Sequence, residues 1–129
     1  MSNHTKVNLS ELEDSAPGFG MGERLEARFA RRALGAQRIG LAYYKVHPGC
    51  RLGFGHHHDE TEEAYLVLSG SGRFKIDDDL VEVTARDVVY VPPAAQREWE
   101  AGDEGLEVIA FGAHSEDEQP HMNREFWPD

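Results

Sequence analysis

His56-His57-His58-Asp59-Glu60-Thr61-Glu62-Glu63, followed after six intervening residues by Gly70, is the stretch on which the fold and the site both turn. On a strand, residues two apart share a face, so His56 and His58 point together while His57 points away. Asp59 to Glu62 form a polar loop that returns the chain, and Glu63 opens the next strand beside the histidine pair. Two imidazoles and a carboxylate on one face bind a divalent transition metal and leave coordination positions open. The chemistry needs neutral imidazoles and an ionised carboxylate, both available near neutral pH. The competing reading of the same residues is a polar surface loop between strands.

Outward from this stretch the chain reads as short strands and turns. Ile39 to His47 is a strand ended by Pro48-Gly49, a turn pair in which proline sets φ and glycine admits a positive φ. Glu63 to Leu68 is closed by Ser69-Gly70-Ser71-Gly72, read as a hairpin turn, and Arg73 to Ile76 follows. Leu80 to Thr84 and Val88 to Val91 are short strands, the second stopped by Pro92-Pro93. Gln96 to Glu100 alternates, with Arg97 and Trp99 on one face and Glu98 and Glu100 on the other. A turn over Ala101 to Gly105 precedes a last strand, Glu107 to Ala113. Such spacing of short strands predicts a sandwich or barrel. Glu23 to Leu34, rich in Ala, Leu, Glu and Arg, is read as a short helix, although its alternate apolar residues also fit a period of two. The single domain, 1–129, comprises a barrel core of about 37–113, an extended N-terminal arm, 1–36, and an acidic C-terminal tail, 114–129. The Phe126-Trp127 pair is expected to dock on the barrel or on a second subunit, because large aromatics are costly to leave in water.

His56, His58, Glu63 and Gly70, with four residues between His58 and Glu63, resemble the first motif of the cupin superfamily, in particular its small single-domain members. The motif's leading glycine is not matched, since Cys50 holds its slot and Gly49 stands one residue too far away. Arg86-Asp87-Val88-Val89-Tyr90-Val91-Pro92-Pro93 resembles the second motif. Pro92 matches its proline, while Arg86 and Ala94 replace its glycines, Arg97 its histidine and Ala101 its asparagine. The resemblance spans about 37–113 and implies an all-β fold, an antiparallel jelly-roll barrel with a pocket between its sheets. In metal-binding cupins the first motif's two histidines and glutamate share one ion with the second motif's histidine.

Here that fourth position is Arg97, which carries five donors, no acceptor and a permanent charge. Two arrangements follow. Either His56, His58 and Glu63 hold Zn, Ni, Fe, Mn or Cu while Arg97 turns aside, or the guanidinium replaces the ion and pairs with Glu63. A doubly charged ion about 5 Å from a guanidinium is repelled by roughly 6–7 kcal/mol at an effective dielectric near 20. A cation in the pocket also favours an anionic ligand. By alternation Phe54 shares the face of His56 and His58, Tyr65 that of Glu63, and Trp99 that of Arg97, which makes these aromatics pocket wall, core, or both.

With 13 Lys and Arg against 24 Asp and Glu, the net charge of −11 argues against nucleic acid and against an anionic membrane surface. No apolar run approaches the roughly 20 residues of a membrane span, and the polar start lacks the apolar centre of a signal peptide. One cysteine, Cys50, forms no internal disulfide and fits a cytoplasmic setting; it is expected to be inert. His4, His114 and His121 lie in the arms and are expected to be solvated, and His47 precedes a turn. The arms offer apolar surface to a second copy, so a homodimer is expected. The resemblance implies a small-molecule ligand and two functional classes: a metal-dependent oxygenase, isomerase or related catalyst, or a metal-free binding or sensing module in which Arg97 replaces the ion. Fold alone does not choose between them.

Overall fold

The computed structural model describes residues 3–113 and 117–128. Strands β1 (Leu25–Phe29), β2 (Ile39–Val46), β3 (Gly55–His57), β4 (Glu63–Ile76), β5 (Asp79–Thr84), β6 (Val88–Val91), β7 (Arg97–Ala113) and β8 (His121–Asn123) all pair antiparallel, and a single helical turn, α1 (Arg31–Leu34), follows β1. Two strands organise the barrel. The second half of β7 lies between β2 and the first half of β4, and β1 and β6 extend that sheet at its two sides. The first half of β7 lies between β3 and the second half of β4, with β8 beyond β3 and β5 beyond β4. The two sheets are continuous through β4 and β7 and fold over one core. This is the all-β antiparallel jelly roll that the sequence implies.

Two turns expected from the sequence are absent as turns. Ser69 to Gly72 and Ala101 to Gly105 lie inside β4 and β7, which run on as single long strands. The reason is that the two glycine-rich stretches face each other. Gly70 pairs with Leu106 and Gly72 with Ala101, with register shifts on either side of Gly70. Gly70 has φ +80°, and a Cβ there would sit 2.0 Å from the carbonyl oxygen of Gly105. Glycine thus bends both strands at a bulge without reversing them.

The expected helix over Glu23 to Leu34 is also corrected. Leu25–Phe29 is a strand on the edge of β2, and only Arg31–Leu34 is helical. Leu25 and Ala27 are buried, so the period-two pattern and tertiary pairing override helix propensity. The preceding arm is tied down. The Asp14 carboxylate accepts the N–H groups of Ala16 and Ala27 at 3.0 Å, and Ala16 is buried in the core.

The core is aromatic at its centre. Trp99 stacks on Phe74 with ring centroids 5.4 Å apart, and Tyr65, Tyr44 and His56 surround it at 5.0, 5.3 and 6.3 Å. Truncating Trp99 removes all of these contacts at once. Trp99→Ala is expected to lower unfolding free energy by about 3–5 kcal/mol, read as a shift of the urea midpoint at unchanged slope.

Candidate metal centre

The site stands where β3 meets β4. Strand alternation turns His56 and His58 inward and His57 outward. His57 stacks instead on His121, with ring centroids 4.7 Å apart. Glu63 begins β4 and faces the pair. Nε2 of His56 and Nε2 of His58 each lie 3.2 Å from Oε1 of Glu63, and Tyr65 donates its hydroxyl hydrogen bond to the same oxygen at 2.6 Å. One ligating atom from each of His56, His58 and Glu63 falls within 4.8 Å of the others.

The electrostatics leave Glu63 and His56 in the ionisation states that coordination needs. Burial is the largest influence on Glu63 and opposes its charge, but the hydrogen bonds from His56, His58 and Tyr65 outweigh it, holding the carboxyl well below the usual range. Burial pushes the His56 imidazole down, against its bond to Glu63, and the charge of Arg97 adds to that push. A neutral imidazole and an ionised carboxylate result near neutral pH.

Arg97 is fully buried and does not pair with Glu63. Its Nη1 donates to the carbonyl of His56 at 3.4 Å, and its Nη2 to those of Val91 at 3.3 Å and Pro92 at 3.0 Å; Nε has no partner among the described residues. Carbonyl oxygens at the start of the Pro92-Pro93 segment therefore hold the guanidinium. Phe54, Tyr65 and Trp99 sit behind the ligand set. Phe54 stands 6.5 Å from His56 by ring centroids, while Tyr65 and Trp99 are buried in the aromatic core.

In front of the ligand set is a cavity of about 390 Å³. His58 and Glu63 reach its wall; Tyr44 and Phe29 supply aromatic surface, and Arg31 and Arg32 supply positive charge. Neither Arg97 nor Phe54, Tyr65 or Trp99 lines it. Burial, with the charge of Glu63 in addition, pushes the Tyr44 phenol well above its ordinary value, so it stays a neutral O–H. The sequence carried a signal for Tyr44, since it alternates with Ala42 and Val46 on the inner face of β2. Glu118, also on the wall, had no local signal. Of the other expected residues, His47 bonds the carbonyl of Glu23 away from the site, Cys50 is half-buried, and His4 is exposed. His121, expected in solvent, is half-exposed and bonds the Asp59 carboxylate at 3.1 Å. His114 lies outside the described residues.

An antiparallel jelly roll with two histidines and a glutamate turned into its interior defines a class, and comparison with known proteins agrees with it. Residues 42–114 match the cupin domain family, and the chain belongs to that family. A cupin protein from Bacteroides fragilis superposes with a TM-score of 0.73 at 19% identity, over 91% of this chain and 89% of that one. A cupin-superfamily sugar phosphate isomerase from Silicibacter pomeroyi gives 0.72 at 16% identity, over 90% and 80%. A polyketide cyclase from Streptomyces resistomycificus gives 0.75 at 17% identity, over 97% and 87%. At these identities the likeness is one of fold. No curated protein sequence matches the chain significantly.

The bonds of Arg97 yield a prediction. Arg97→Met keeps most of the apolar stem but removes the guanidinium donor from the buried Val91 carbonyl and from that of Pro92, which still accepts from Ala95. Stability is expected to fall by about 1–3 kcal/mol, because an unsatisfied buried acceptor carries its full desolvation penalty. Chemical denaturation measures it, and an unchanged midpoint contradicts this account of Arg97.

Proposed function

We propose that this cupin holds one divalent transition metal through His56, His58 and Glu63 and binds a small anionic molecule in the cavity in front of it. The observation that carries the reading is the convergence of both Nε2 atoms on one oxygen of Glu63, at the wall of a 390 Å³ cavity. A mixed set of two imidazoles and one carboxylate suits a first-row divalent ion and leaves positions free for a ligand. The guanidinium of Arg97 is engaged by carbonyl oxygens, so it does not occupy the position of the ion. The metal-free alternative needs an Arg97–Glu63 pair, and the observed bonds of Arg97 lead elsewhere.

The cavity is of a size that small-molecule sites have, roughly 300–1,000 Å³. Phe29 and Tyr44 would cover apolar parts of a ligand, Arg31 and Arg32 would bind a carboxylate or phosphate, and Tyr44 would donate a hydrogen bond. A bound ion would supply Lewis acidity toward a ligand oxygen. Proteins of similar fold include a sugar phosphate isomerase and a polyketide cyclase, both named for small-molecule chemistry. Calorimetric titration with Zn²⁺, Ni²⁺ and Mn²⁺ tests the centre. One ion per chain is expected for the wild type and for His57→Ala, and none for His58→Ala. Equal affinity in all three proteins overturns the reading, and loss on His57→Ala alone means that the strand faces are reversed.

The protein pairs through the outer face of the sheet formed by β6, β4, β7 and β2. Two rows of neighbours cross that face: Tyr90, Ala64, Phe111 and Leu41 in one, Val88, Leu66, Ile109 and Tyr43 in the other. No residue in either row is charged, in a chain of net charge −11. Val88, Tyr90 and Phe111 are 61%, 56% and 42% exposed. Large side chains so exposed carry on the order of 100 Å² each. The face therefore presents several hundred Å², a scale that marks interaction sites, against roughly 800 Å² per partner in a standard interface. A second copy fits because a two-fold axis through the face matches each row to its like. The Phe126–Trp127 tail, by contrast, is spent on its own barrel (see below). Sedimentation equilibrium is expected to give twice 14.5 kDa for the wild type and 14.5 kDa for Leu66→Glu. A wild-type monomer across the micromolar range refutes the pairing.

A further inference from the structure

His58 has a carboxylate oxygen beside each ring nitrogen. Its Nε2 faces Glu63 at 3.2 Å, and its Nδ1 lies 3.3 Å from Oε1 of Glu118. The Glu118 side chain is only 8% exposed. Its Oε1 also accepts the N–H groups of Asp59 at 2.7 Å, Glu60 at 3.1 Å and Thr61 at 3.4 Å, while Oε2 accepts the Thr61 hydroxyl. These three amides belong to the turn that leads from His58 to Glu63. One buried carboxylate therefore holds both a ligand ring and the connection that spaces it from the next ligand.

The geometry has a chemical consequence. A carboxylate beside Nδ1 favours the proton on that nitrogen and leaves the Nε2 lone pair for the cavity side. Nδ1 of His56, in contrast, has no partner among the described residues. Glu118 stays charged here, since hydrogen bonds from Thr61 and the turn amides outweigh the effect of burial. The segment that carries it is anchored farther along. Strand β8 pairs with β3, and the Phe126 ring fills the place where a Cβ on Gly55 would stand, 2.4 Å away. Lys75 donates to the Phe126 carbonyl at 2.6 Å, and the Arg51 guanidinium covers the Trp127 ring at 4.3 Å.

We infer that Glu118 is a positioning residue: it orients His58 through Nδ1 and fixes the 59–61 turn, which makes the C-terminal segment part of the ligand site. The inference rests on the reading of His56, His58 and Glu63 as metal ligands.

The test compares the full-length wild type with Glu118→Gln, which keeps the shape and loses the charge, and Glu118→Ala. Zn²⁺ affinity by calorimetry is expected to fall about ten- to a hundredfold in Glu118→Ala, and less in Glu118→Gln. In the metal-free proteins, long-range ¹H–¹⁵N spectra are expected to show the His58 ring signals displaced and those of His57 unmoved. Hydrogen exchange at Asp59, Glu60 and Thr61 is expected to accelerate. Unchanged affinity overturns the inference. So does a fall in affinity with undisturbed His58 signals, which reduces Glu118 to a structural part. If the wild type binds no ion, the metal reading fails, and the His58 signals alone then decide for or against the positioning role. If Glu118→Ala does not fold, Glu118→Gln decides by the same criteria.

Discussion

The pairing of β4 with β7 governs everything else in the molecule. Each strand is long enough to serve both sheets, and each bends where glycines oppose one another at Gly70 and Gly105. Gly70 must be glycine because the carbonyl of Gly105 lies where its Cβ would be. The bend brings Glu63, at the start of β4, and Arg97, at the start of β7, into the same barrel interior. Any residue that blocked the close approach at Gly70 would part the two strands at the point on which both sheets hinge, and the site with them.

Within that frame, the controlling difficulty is a buried positive charge beside a place suited to a cation. Isolated burial of a guanidinium is expensive. Here backbone carbonyls offset the cost, two of them from Val91 and Pro92, where β6 ends. A proline run suits this task. It cannot continue the ladder with N–H donors, so its neighbouring carbonyls are free to turn toward Arg97. Arg97 thereby closes the end of β6 against β3 and still contributes field at the site, where it helps to keep His56 neutral. The residue at the usual fourth-ligand position is thus a structural cation, and the candidate ligand set is left open on one side.

Local patterns made part of this legible. Period-two alternation placed His56 and His58 inward and His57 outward, and it put Arg97 with Trp99 on the face opposite Glu98 and Glu100. It failed where the answer depends on what lies opposite in space. Ser69 to Gly72 and Ala101 to Gly105 each look like turns alone and become bulges only because they face one another. Leu25–Phe29 is a strand because β2 offers it an edge. The bonds of Arg97 to carbonyls, with no side-chain acceptor involved, are invisible in any residue pattern. Glu98 shows the same limit: its alternation predicts exposure, yet it is buried beneath the Gly53 amide that it accepts at 3.0 Å.

The C-terminal segment shows most clearly how a contact with no sequence signature can complete a site. Glu118 sits in an acidic stretch that reads as a solvated tail, and nothing nearby marks one carboxylate as different from its neighbours. What distinguishes it is the anchoring around it. Gly55 leaves space for Phe126, Arg51 and Lys75 present cations to the aromatic rings, and β8 adds to the edge of β3. Gly55 lies on the strand that carries His56 and β8 beside it, while Arg51 bridges to β7 and Lys75 belongs to β4. Strand β8 and Phe126 therefore dock on the same edge that carries His56, one of the candidate ligands. Docking it brings a negative charge to the outer nitrogen of His58 and covers one side of the cavity with Glu118, Gln119 and Pro120. The same carboxylate, Glu118, thus stands both in the cavity wall and beside the His58 ring, on a segment whose Phe126 and Trp127 are partly buried against the barrel.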